Sequence, residues 1–148
     1  MNDLMWRLTQ AALEFMHVVG ASGRNVRERM AKLLVSPEYY AREPEHFDRW
    51  LSRIGHGRLG TTLQQVAAVM RHSTEARLRD IDVPTLVITG DADRLVPADN
   101  SRHLAARIPR AKLVELAGAG HCFPVEREDE TVRALVDHFL QGAIEARI

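Results

Sequence analysis

A short apolar run at residues 85–89, Thr-Leu-Val-Ile-Thr, stops at Gly90 and is followed by Asp91 and Asp93. Its apolar residues do not alternate with polar ones. That is the pattern of a strand covered on both faces, as in a parallel sheet flanked by helices. A second run at residues 112–116 leads into Gly118-Ala119-Gly120-His121, and the residues from 97 to about 108 read as a helix between the two. Strands joined by a helical crossover lie parallel, with a right-handed connection. The order therefore predicts neighbouring parallel strands whose carboxyl ends carry an acid and a histidine. From about residue 129 to 140, Val132, Leu135, Val136, Phe139 and Leu140 form the apolar stripe of a closing helix.

Ahead of residue 78 the spacing is helical throughout. Leu4, Met5, Leu8, Ala11, Ala12, Phe15, Met16 and Val19 make one stripe that ends at Gly20. Ser22 is expected to cap a second helix, with Val26, Met30, Leu33 and Leu34 buried and Pro37 closing it. Pro44 opens a third, whose apolar face is Phe47, Trp50, Leu51 and Ile54. After Gly55, Gly57 and Gly60 a fourth carries Leu63, Val66, Val69 and Met70. The fold class is thus α/β, with a helical region at 1–77 and a β-α-β-α segment at 78–148.

Twenty basic residues balance twenty acidic ones, so no net field draws the chain to nucleic acid or to an anionic membrane. The lone Cys122 excludes an internal disulfide and suits a reducing compartment. No apolar stretch approaches the ~20 residues of a membrane helix, and the N-terminus lacks a signal-peptide pattern. The expected location is the cytoplasm, and no cofactor or metal is expected.

Strand, Gly-x-x-Asp, helix, strand, Gly-x-Gly-His, helix: in this order the segment from about residue 78 to 140 resembles the C-terminal end of an α/β-hydrolase. The family's Gly-x-x-Asp-x-x-Val-Pro pattern falls on Gly90, Asp93, Val96 and Pro97, and its Gly-His with a later helix-leading Glu on Gly120, His121 and Glu126. Residues 1–77 resemble the cap that many members insert before these strands. The resemblance implies a triad acid at Asp93 and a triad histidine at His121. The imidazole would act as base and then acid, and the carboxylate would hold its tautomer. Asp91 is the rival acid, nearer the strand end, but Asp93 occupies the motif position, which leaves Asp91 to hydrogen-bond the turn. His103 and His138 fall inside predicted helices as surface residues.

The family's nucleophile sits on Gly-x-Ser-x-Gly between a strand and a helix. None of Ser22, Ser36, Ser52, Ser73 and Ser101 has that frame, and Gly20-Ala21-Ser22-Gly23, the nearest, reads as a helix-cap turn. Cys122 adjoins His121, yet adjacent loop residues point apart and nothing lowers its thiol pKa. The oxyanion donors also belong to the upstream part of the fold. The expectation is a partial hydrolase lacking the N-terminal strands, inactive alone, that acts on a small ester-like substrate when completed by an N-terminal half or by self-association. Two parallel strands make a poor sheet with unpaired edges, so the alternative is a non-catalytic interaction or oligomerisation module. Phe15, Met16, Trp50 and Met70 are candidate pocket residues of the cap, or else plain core.

Overall fold

The computed structural model describes residues 24–53, 64, 65, 67, 68 and 71–145. The helix expected over residues 3–19, the cap at Ser22, Ile54, the glycines 55, 57 and 60, and Leu63, Val66, Val69 and Met70 lie outside the described residues, as does the side chain of Val26.

Helix α1, Arg24–Leu34, buries Leu33 and Leu34 and half-buries Met30, as their spacing predicts. Pro37 does not close it. The helix ends three residues earlier, and Pro37 instead opens a short helix α2, Pro37–Arg42. Ser36 is the reason. Its backbone is extended, its Oγ accepts from Tyr39 N at 3.2 Å, and the following proline has no N–H for the first turn to orphan. Helix α3, Pro44–Arg53, starts at its proline as expected and drives Phe47 into the centre of this layer, 1% exposed. Around it lie Ala31, Leu33, Leu34, Val35 and Tyr39, with the Tyr40 ring edge-on at 5.5 Å. This cluster also takes in Leu95, Cys122 and Val125, so the helices rest on the loops that follow the strands.

A 3₁₀ turn, Glu75–Asp80, buries Leu78 and delivers the chain to strand β1, Thr85–Gly90. Helix α4, Ala98–Ala105, crosses to strand β2, Ala111–Leu116, which pairs parallel to β1 from Thr85 opposite Ala111 to Gly90 opposite Leu116. A four-residue helix α5, Phe123–Glu126, and the long α6, Glu128–Glu145, complete the order. Among the described residues the sheet has these two strands.

The non-alternating β1 was expected to be covered on both faces, but Leu86, Val87 and Ile88 are half-buried, and Thr89 and Gly90 are its buried residues. Too little of the described chain packs over the strand's first part. Helix α6 shows the same shortfall. Its inward positions are Thr131, Ala134, His138 and Gly142, while Val132, Leu135, Val136, Leu140 and Phe139, at 69% exposed, face solvent. Among the described residues, no helix is long and apolar enough to cross a membrane.

Candidate functional site

The turns after β1 and β2 are in backbone contact. A Cβ on Gly90 would stand 2.2 Å from Ala119 O and 2.5 Å from Gly120 O, so only a residue without one fits there. Ala92 N donates to Ala119 O at 3.0 Å, and Gly118 reverses the second turn with φ of 66°. Asp91 hydrogen-bonds a turn, as expected, although not its own. Its Oδ1 accepts from Gly118 N at 2.7 Å, tying the first turn to the second.

Asp93 shapes the first turn from within. Its Oδ1 accepts from Leu95 N at 2.9 Å and Val96 N at 2.8 Å, which closes the loop on the carboxylate. Its Oδ2 lies 2.9 Å from His121 Nδ1. A carboxylate can only accept, so Nδ1 carries a proton, and in the neutral ring Nε2 keeps its lone pair. Burial is graded across the pair, with the Asp93 side chain 5% exposed and His121 37% exposed. Such a pair can hold an imidazole in one tautomer, stabilise its protonated form and present Nε2 to a hydroxyl.

The residues around His121 are held from the helical side. Cys122 N donates to Leu34 O at 2.7 Å. Glu126, 6% exposed, accepts from Gly120 N at 2.9 Å through Oε1 and from Ser36 N at 3.1 Å through Oε2. The Gly-His…Glu motif contains Glu126, but its bond to Ser36 spans 90 positions and no local pattern announces it. The Cys122 thiol is half-buried against apolar groups, and this desolvation pushes it up to about 11, with Glu126 and then Asp93 adding to the effect. A thiol held neutral in this way is a poor nucleophile at neutral pH. It lies in a narrow crevice with Val35, Tyr39, Phe47, Trp50 and Val125 that leaves no room for a water molecule. Trp50 packs half-buried against the core, whereas Phe15, Met16 and Met70 lie outside the described residues. His103 is not a free surface residue, since its Nε2 is 2.6 Å from Glu75 Oε2. His138 is half-buried in α6.

The poly(3-hydroxyalkanoate) depolymerase of Ectopseudomonas oleovorans is 33% identical over 125 residues, covering 82% of this chain and 44% of the depolymerase. The RutD protein of Stutzerimonas stutzeri is 34% identical over 79 residues, 53% of this chain and 30% of RutD. The solved enol-lactonase from Burkholderia xenovorans LB400 matches with a TM-score of 0.70 at 25% identity, over 93% of this chain and 50% of the enol-lactonase. The chain thus spans about a third to a half of the length of these three proteins. The profile of the alpha/beta hydrolase family matches residues 2–134, nearly the whole chain, and this protein belongs to that family.

Proposed function

We propose that the chain supplies the acid and the base of a serine-type hydrolase triad, Asp93 and His121, and that the nucleophile comes from residues outside the 148. The observation that carries this reading is the 2.9 Å contact between Asp93 Oδ2 and His121 Nδ1 at the tips of two parallel strands. In the reaction, His121 Nε2 takes the proton of a serine hydroxyl as it attacks an acyl carbon, then gives it to the leaving oxygen. Asp93 holds the tautomer and stabilises the imidazolium. A poly(3-hydroxyalkanoate) and a lactone, the compounds in the relatives' names, both contain an acyl–oxygen bond, which supports an ester-type substrate. The region at residues 1–77 serves as a cap over residues 78–148.

The test is an activated short-chain ester, assayed with the chain alone and with the chain joined to a family segment that carries Gly-x-Ser-x-Gly. Turnover is expected only in the joined form, falling about 10⁴-fold in D93N and about 10⁶-fold in H121A. Turnover by the 148 residues alone that survives C122A, or an H121A variant as active as the parent, refutes the reading.

A second reading draws on the solvent-facing stripe of α6 and the half-buried face of β1, which suit a non-catalytic module that pairs with itself or with another chain. A stable dimer in solution, with no turnover in the joined form either, would favour it.

A further inference from the structure

We infer that Glu126 is a positioning residue for His121, clamping the histidine turn to the corner at Val35 and Ser36; this rests on the reading of His121 as the base. His121 is anchored at both neighbours. On one side Gly120 N donates to Glu126 Oε1 at 2.9 Å, and on the other Cys122 N donates to Leu34 O at 2.7 Å. The second carboxylate oxygen of Glu126 accepts from Ser36 N at 3.1 Å, so one buried side chain fastens the histidine turn and the helical region together. The packing at this point is tight: a Cβ on Gly120 would lie 2.8 Å from Val35 C and 2.9 Å from Glu126 Oε1. Both partners of Glu126 are backbone donors, and an acid is the side chain that offers two acceptors and no donor. Glutamine would aim an N–H₂ group at one of the two N–H groups. With the backbone on either side of it fixed, the imidazole has little freedom besides its own rotamer, which is set by Asp93 Oδ2. A shift of the Val35 and Ser36 corner would therefore be passed to the base through Glu126.

The experiment labels the seven histidines of the chain with ¹⁵N and reads the tautomer of the neutral ring, assigning His121 by its loss in H121Q. The wild type and four variants, D93N, E126Q, E126A and T131A, are compared at a pH above the ordinary imidazole range. T131A removes a buried hydroxyl that donates to Arg127 O at 2.8 Å, and so loosens the same corner of the fold without touching Gly120 or Ser36. Expected is an Nδ1–H form in the wild type and T131A, with a shift towards Nε2–H in E126Q, a larger one in E126A, and the largest in D93N. Folded E126 variants with the wild-type tautomer overturn the proposal. So does T131A if it shifts as far as E126A, because the ring would then report general loosening. A D93N spectrum identical to the wild type refutes the acid–base pair itself, which separates the two failures. Should the E126 variants not fold, amide exchange in the wild type decides. The Gly120 and Ser36 amides should exchange roughly tenfold or more below their unstructured rates, the scale of a charge-assisted hydrogen bond. Exchange at the unstructured rate overturns the proposal.

Discussion

Replacing Gly90 by alanine should separate the two turns that hold Asp93 and His121. The added methyl would meet Ala119 O at 2.2 Å, Gly120 O at 2.5 Å and Ala119 C at 2.6 Å, where ordinary contact begins at 3.4 Å. All three atoms are backbone, so no side chain can swing away, and the turns must part by about an ångström. Overpacking of this kind costs about 1–3 kcal/mol, and the rigid neighbours place G90A at the upper end. Gly90 does not lie in the left-handed region, so the penalty is steric rather than conformational. Gly142 supplies the contrast. It sits in α6 with nothing within 4 Å of its would-be Cβ, so G142A should stabilise by roughly 0.5–1 kcal/mol through helix propensity. Urea unfolding followed by circular dichroism reads both. A slope of about 1.5 kcal/mol/M turns 3 kcal/mol into a midpoint about 2 M lower for G90A. If G90A unfolds within about 0.5 kcal/mol of the wild type, the close approach of the turns is wrong, and the argument for their rigidity goes with it.

The two ends of the burial scale should behave oppositely. F47A is expected to cost about 3–5 kcal/mol, while F139S stays within about 0.5 kcal/mol, both read by the same unfolding curves. Cys122 should react with Ellman's reagent at pH 8 roughly two hundredfold more slowly in the native chain than in urea, because a thiol near 11 is almost wholly protonated there. Equal native and denatured rates would show that the thiol is neither buried nor shifted.

What was legible in the sequence depended on local repetition. Strands β1 and β2, with α4 and α6, fall where short apolar runs and helical spacing put them, because each signal repeats within a few residues. Helices α2 and α5 did not, at six and four residues, since neither is long enough to show a period. Pro37 was misread as a stop for a related reason: whether a proline ends one helix or begins the next depends on the cap before it, and Ser36 takes up that role through Tyr39 N. At the site, the motif position separated Asp93 from Asp91. The sequence does not show that Asp91 Oδ1 would bridge to Gly118 N, a bond across 27 positions. Glu126 was visible as a motif letter, but its function lies in contacts with two backbone donors, and backbone donors leave no residue signature.

Asp93 has two employments, and they use different atoms. One oxygen builds the loop through Leu95 N and Val96 N, while the other faces His121. The first bears on whether the loop forms, and the second, under the proposed function, on whether anything reacts. A descendant that abandoned its chemistry would still be under pressure to keep this aspartate, because an Ala there would unmake the loop. Among the described residues, the His121 ring hydrogen-bonds to Asp93 and has no such second duty. In a lineage sliding towards inactivity the histidine should therefore erode first, with the acid lasting as a structural relic. A retained aspartate says little about whether a given copy still works, whereas a lost histidine says a great deal.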